Sequence, residues 1–203
     1  MRPIGMETEH FDICVIGGGP AGYAAAMRAV DLGQRVVLIE RDRIGGTGIY
    51  NGALASKTLW ELSQRVSSAN EVVRARGREP FRLSWDEISQ TLNEALFERK
   101  YLYACQMQLL ASHSTGEPGC FAHIIGEVWG VDAYGGLGVR EDGSTRLSAD
   151  HFIIATGSRP RQLPGIAVDE RQILSSDGIF NIRDLPRSIV IIGAGVIGCE
   201  FAT

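Results

Sequence analysis

Three observations predict an α/β fold built from strand-turn-helix units. A run of β-branched and apolar residues, Phe11 to Ile16, leads into the glycine triad Gly17-x-Gly19-x-x-Gly22, and a small-residue helical pattern follows from Ala21 to Val30. A second apolar run, Val36-Val37-Leu38-Ile39, ends in Glu40, as the next strand of a βαβ unit should. The strand-triad-helix pattern then returns at Ile189 to Ile192 and Gly193-x-Gly195-x-x-Gly198.

Each residue of the first unit has a physical reason to be there. Gly17 permits a tight turn, Gly19 lets the backbone approach a pyrophosphate, and Gly22 lets the helix lie close to the strand. Pro20 suits a first helical turn, where its missing N–H is not needed. Glu40 lies eighteen residues past Gly22, where a carboxylate accepts from a ribose 2′-hydroxyl and repels a 2′-phosphate. The acid of the second unit would fall about 20 residues beyond its glycines, past Thr203, so the sequence does not separate NAD from NADP.

The elements between the triads follow in order. Leu59, Leu62, Val66, Ala69 and Val73 recur at helical spacing, with Gly77 before Glu79-Pro80 as the stop. Ser84-Trp85-Asp86-Glu87 fits a capping box and opens a second helix that runs to about Ser112. His113 to Gly119 reads as a loop, and the stretch from Phe121 to Gly157 as an antiparallel meander returning to the sheet. In that stretch Asp142-Gly143 is a hairpin signal and Phe152 to Ala155 a buried strand. Residues 158–186, rich in Pro, Ser, Asp and Arg, suit a connection between domains. The expected boundaries are 1–157, 158–186 and 187–203.

Composition narrows the function classes. The 203 residues are 44% hydrophobic and 22% charged, with a formal net charge of −4, the balance of an ordinary globular protein with no basic footprint for nucleic acid. No nucleic-acid partner is expected. No apolar run reaches eighteen residues and the first ten residues lack an apolar core, so neither a membrane span nor a signal peptide is expected and the location defaults to the cytoplasm. Cys14, Cys105, Cys120 and Cys199 form no CxxC pair, and His10, His113, His123 and His151 are scattered; no metal site is expected. Cys14 and Cys199 read as small buried hydrophobes, and Cys105, near Tyr101, Leu102 and Leu109, as a core or helix-pairing residue.

With Gly45-Gly46-Thr47, Ser56-Lys57 and Ala155-Thr156-Gly157 between the two triads, the chain resembles the FAD-dependent pyridine nucleotide-disulfide oxidoreductase family over essentially its whole length. The resemblance implies a Rossmann-like FAD-binding domain with a helical insert and an antiparallel β-meander, followed by the first strand-turn-helix of a second Rossmann-like domain for NAD(P). It implies that Gly17, Gly19, Gly22 and Glu40 hold the ADP half of FAD, with Gly46 and Thr47 near the phosphates. The backbone of Val128 would meet the adenine, Thr156 and Gly157 would lie beside the flavin, and Gly193, Gly195 and Gly198 would bind NAD or NADP. Lys57 would pair with Glu200 beneath the flavin N5, where its charge favours the reduced, anionic flavin. By themselves the two would read as a helix-surface lysine and a solvated helix acid. Were the pair buried, removing one partner would strand a charge. The resemblance further implies a homodimer at full length, and a nicotinamide nucleotide and an unidentified electron acceptor as partners. The chain is expected to be part of a longer protein, to be inactive alone, and to be poorly stable in its C-terminal part.

One departure bears on the chemistry. Disulfide reductases of this family read Gly-Gly-Thr-Cys, four residues, then Cys-x-Pro-Ser-Lys, whereas here the cysteine positions hold Gly48 and Ala53 and the proline position holds Ala55. Neither glycine nor alanine can attack a disulfide or resolve a mixed one. The expected function is hydride transfer between NAD(P)H and an acceptor through FAD without a redox-active disulfide, most like the soluble pyridine nucleotide transhydrogenase branch. A dihydrolipoamide dehydrogenase-like protein that has lost dithiol activity and a non-catalytic FAD-binding protein remain open. The smaller residues would leave space on the flavin face for a quinone, dye, oxygen or second nucleotide. Tyr50 and Trp60, near this loop, read mainly as packing residues, with flavin contact open for Tyr50.

Overall fold

The computed structural model describes residues 9–111, 117–131, 136–140 and 145–202. Its strands are β1 (Glu9–Ile16), β2 (Val36–Glu40), β3 (Phe121–Ile125), β4 (Glu127–Val131), β5 (Gly136–Arg140) and β6 (Thr145–Ile154). Its α-helices are α1 (Pro20–Asp31), α2 (Gly46–Tyr50), α3 (Ala53–Ala75), α4 (Trp85–Leu110) and α5 (Val196–Phe201), with a 3₁₀ turn at Gly178–Asn181. The chain divides into two compact units, Met1–Gly46 with Lys100–Ser158, and Thr47–Arg99 with Arg159–Thr203.

The first unit is built on one sheet of order β3-β2-β1-β6-β5-β4. β1 pairs in parallel with β2 and β6, and β2 with β3, while β4, β5 and β6 run antiparallel. Phe121–Ile125 therefore does not open the meander, as the short extended pieces from Phe121 onward suggest; it is a parallel edge strand in register with Val36–Glu40. The meander is β4-β5-β6, and the Asp142-Gly143 hairpin signal lies outside the described residues, as do His113 to Gly116.

Val36 to Ile39 are all buried because both faces of the sheet are covered, which is why a parallel strand reads as an unbroken apolar run. Val37 and Ile39 join Phe11, Cys14, Leu137, Val139 and Leu147 on one face. Val36 and Leu38 join Val15, Tyr23, Ala26, Met107 and Phe121 on the other. Across that second layer the rings of Tyr23 and Tyr103 stack at 3.9 Å with 3° between planes, and the Tyr23 hydroxyl donates to Gln106 Oε1 at 2.5 Å. Burial pushes the Cys14 thiol up to about 12, which makes it inert packing, as expected.

In the second unit the capping box forms as the sequence predicts: Glu87 Oε2 accepts from the Ser84 amide and hydroxyl, each at 2.8 Å, and the Glu87 amide donates back to Ser84 Oγ at 3.3 Å. α3 ends at Ala75, and Gly77 takes φ +65°, the left-handed stop expected of it. Buried Asn70 donates to the Phe81 carbonyl at 2.9 Å and accepts from the Phe81 amide at 3.0 Å, tying the segment after α3 back onto the helix.

Three expectations change here. Ile189–Ile192 is not a strand: Val190 is 89% exposed, and no described segment offers the run a ladder partner, without which its amides and carbonyls cannot form a sheet. Cys199 is exposed rather than buried, because α5 buries none of its residues. Tyr101, Leu102 and Leu109 are exposed on α4 and Cys105 is half-buried, so of its two expected roles, core or helix pairing, the core one falls away.

Candidate functional site

The first triad forms a turn that only glycine can make. Gly17 sits at φ +103°, its amide donates to the Ile39 carbonyl at 2.8 Å, and a Cβ there would lie 2.3 Å from the Ala155 carbonyl oxygen. A Cβ on Gly22 would lie 1.8 Å from the Gly17 carbonyl oxygen, so the missing side chain is what lets α1 cross this closely over the end of β1. Gly19, by contrast, is an extended N-cap at φ −69° whose Cβ would meet nothing within 4 Å. The first turn of α1 has no side-chain cap and no acidic residue. Its amides and the positive end of the helix dipole are thus left for an anion beside Gly19.

Glu40 closes this turn from the second strand. Its Oε2 accepts from the Gly18 amide at 2.6 Å and its Oε1 from the Asp42 amide at 2.9 Å, while the Gly126 amide donates to the Glu40 carbonyl at 2.9 Å. The link to Gly18 is not visible in the sequence, whose only cue is an acid ending the second strand. Gly45, at φ +104°, donates to the Gly18 carbonyl at 2.8 Å, and a Cβ on Gly46 would come within 3.2 Å of the Gly19 Cα. The Gly45-Gly46 backbone is thereby pressed against the triad. Ala155 is anchored to the Ile16 carbonyl at 2.8 Å, which sets exposed Thr156 and Gly157 (φ +79°) just past the same strand ends. Val128 stands in β4, two residues after Gly126, beside an irregularity in the β4–β5 ladder. Of the expected residues, Gly17, Gly19, Gly22, Glu40 and Gly46 are joined by contacts within the first unit.

The second unit holds Thr47, Lys57, Glu200, Gly193, Gly195 and Gly198. Lys57, on the second turn of α3, donates through Nζ to Glu200 Oε1 of α5 across 143 residues of sequence. The Lys57 side chain is 51% exposed and that of Glu200 17%, so the pair is not the buried one for which loss of a partner strands a charge. The Lys57 hydrogen bond, with lesser help from a Ser56 bond and the Lys57 charge, holds the Glu200 carboxyl below the usual carboxylate range against the opposing effect of desolvation. At the departure from the disulfide-reductase pattern, Gly48 is half-buried within α2 and Ala53 is exposed at the start of α3. Between them Gly52 has no room for a side chain, since its Cβ would lie 2.5 Å from the Thr47 carbonyl oxygen. Tyr50 is half-buried and Trp60 is 41% exposed, so Trp60 does less packing than expected.

The second triad repeats the first. Gly193 takes φ +114°, Gly195 is an extended N-cap with nothing within 4 Å of its Cβ, and a Cβ on Gly198 would lie 2.3 Å from the Gly193 carbonyl oxygen. All three line a cavity of about 1670 Å³ within this unit. Among the described residues no cluster of His, Cys, Asp or Glu could hold a metal ion, and no helix is long and apolar enough to cross a membrane.

Comparison with known proteins places this geometry. The family model described as pyridine nucleotide-disulphide oxidoreductase matches residues 11–203. The dihydrolipoyl dehydrogenase of Bacillus subtilis is 33% identical over 205 residues, covering 98% of this chain and 42% of that protein. The soluble pyridine nucleotide transhydrogenase of Mycobacterium tuberculosis is 34% identical over 206 residues, covering 95% and 40%. The crystal structure of LpdA from Mycobacterium tuberculosis superposes with a TM-score of 0.76 at 25% identity, over 94% of this chain and 41% of that one. The chain thus spans about two fifths of the length of the relatives it matches.

Proposed function

Because the chain belongs to the pyridine nucleotide-disulphide oxidoreductase family, we propose that it carries the FAD-binding part and the opening of the nicotinamide nucleotide part of a flavin enzyme. That enzyme moves hydride between NAD(P)H and an acceptor without a redox-active disulfide, most like a soluble pyridine nucleotide transhydrogenase. On this reading 1–157 is the FAD-binding domain, 158–186 the connection and 187–203 the start of the NAD(P)-binding domain. The full-length protein is a cytoplasmic homodimer.

The glycine turn fits the group proposed for it. Open space at Gly19, uncapped amides at the start of α1 and a carboxylate at the end of β2 match a dinucleotide's pyrophosphate and ribose. FAD supplies two-electron redox chemistry when bound; the chain supplies position and charge. Gly46, Thr47, Val128, Thr156 and Gly157 border it, and Gly193, Gly195 and Gly198 take the nicotinamide nucleotide. Lys57 brings a positive charge toward the flavin, and Glu200 holds that lysine in place.

One observation carries the choice of reaction: Gly48 and Ala53 stand where the family's disulfide reductases have their two thiols, while the Lys57–Glu200 pair is retained. Without a dithiol relay, a planar acceptor or a second nucleotide must meet the flavin directly. Retention of the ion pair favours this over a silent nucleotide-binding protein. The test is anaerobic addition of NADH, then NADPH, to the FAD-loaded full-length protein. Bleaching of the flavin absorbance is expected, and no bleaching with either nucleotide overturns the reading. With Gly48→Cys and Ala53→Cys together, the narrowed space should slow turnover with quinone or dye acceptors.

A further inference from the structure

We infer that Arg41 and Glu127 form a clasp at the adenosine end of the first nucleotide site, acting as positioning residues that slow the release of FAD. The inference rests on the FAD reading above. In an open α/β sheet the ligand lies outside the carboxyl ends of the strands, and the acid ending the second strand takes the adenosine ribose. Whatever follows the C-terminal ends of β2 and β3 therefore borders the adenosine.

Two successive links join those ends. The Gly126 amide donates to the Glu40 carbonyl at 2.9 Å, extending the β2–β3 pairing by one residue. Immediately beyond it, Arg41 Nη1 lies 3.6 Å from Glu127 Oε1. The backbone link fixes Glu40, whose carboxylate is already held by the Gly18 and Asp42 amides. The side-chain link adds a second layer outside it, one charge from the residue after β2 and one from the first residue of β4. Both side chains are more than half exposed, and an exposed pair of this kind adds little to the stability of a fold. A role for it should therefore appear in nucleotide release rather than in folding.

The experiment measures FAD release from the full-length protein by stopped-flow fluorescence at two salt concentrations, for wild type, Arg41→Gln, Glu127→Gln, the double variant and Glu40→Ala. Each single clasp variant should release FAD about two- to fivefold faster, the range expected of one exposed ion pair. The double variant should be no faster than the faster single, because the two residues act as one unit. Added salt should speed release from wild type and leave the clasp variants nearly unchanged. The unfolding midpoints of the apoproteins should coincide with that of wild type.

Release at the wild-type rate from both clasp variants, with faster release from Glu40→Ala, overturns the clasp and leaves the FAD site standing. Additive effects, or lowered apoprotein midpoints with unchanged release, also overturn it. If Glu40→Ala releases FAD at the wild-type rate, or wild type binds none, the FAD reading falls and the clasp with it.

Discussion

The carboxylate of Glu40 accepts a hydrogen bond from the amide of Gly18 at 2.6 Å, so the residue expected to read a ribose also ties the second strand to the glycine turn after the first. Such a charge-assisted bond is worth about 1.5–3 kcal/mol. Glu40→Ala should therefore weaken FAD binding about ten- to hundredfold and lower the apoprotein unfolding midpoint as well. Fluorescence titration and thermal unfolding read the two effects. Loss of binding with an unchanged midpoint would show that the Gly18 bond contributes nothing in solution.

Gly19 and Gly22 separate binding from folding. A Cβ on Gly19 meets nothing within 4 Å at an ordinary φ, whereas one on Gly22 would lie 1.8 Å from the Gly17 carbonyl oxygen. Gly19→Ala should leave stability within about 0.5 kcal/mol of wild type and sharply reduce FAD affinity. Gly22→Ala should destabilise by about 1–3 kcal/mol, as overpacking does. Denaturant unfolding and FAD titration of both variants check the contrast, which an equal loss of stability would contradict.

The Lys57–Glu200 pair is a prediction about potential more than about stability, because Lys57 is half exposed. Replacing Lys57 with Met should move the flavin reduction potential to a more negative value, since the positive charge favours the anionic reduced flavin. Arg at the same position should retain most of the wild-type value. Equilibrium dye reduction of the FAD-loaded protein measures it, and an unchanged potential in the Met variant would remove Lys57 from the redox machinery.

At the base of the sheet, Asp12 accepts from the Arg35 amide at 2.7 Å and from its guanidinium at 2.8 Å. These bonds, the side-chain one foremost, hold the Asp12 carboxyl below the usual carboxylate range. A lowered folded-state value means that the contribution is present above the usual aspartate value of about 4 and is lost as pH falls below it. Asp12→Asn should flatten the acid limb of a stability–pH curve there and leave the slope near neutrality unchanged. Urea midpoints across that range test this.

The parts of this molecule legible in its sequence are those whose geometry is set locally. The glycine triads, the capping box at Ser84 and the Gly77 stop each depend on a few neighbouring residues, and each formed as its chemistry requires. What the sequence hid depends on distant partners. Phe121–Ile125 reads as the first extended piece of a meander, yet it lies parallel to β2, with Phe121 buried in the layer of Tyr23, Ala26 and Met107. Cys199 and Ile189–Ile192 are apolar enough to suggest burial, but burial needs a facing layer that composition cannot supply. The Gly18–Glu40 bond and the Arg41–Glu127 pair join residues more than twenty positions apart, and only the folded sheet brings them together.

The likeness of the two glycine turns reaches beyond binding. Gly19 and Gly195 cap their helices at nearly the same backbone angles, φ −69° and ψ −177° against φ −77° and ψ 177°, although one turn follows a paired strand and the other an unpaired run. The cap geometry is thus reached whether or not a paired strand precedes the turn. Such a turn is a portable unit, one that gene duplication or grafting could move into a new α/β host with its cap geometry intact.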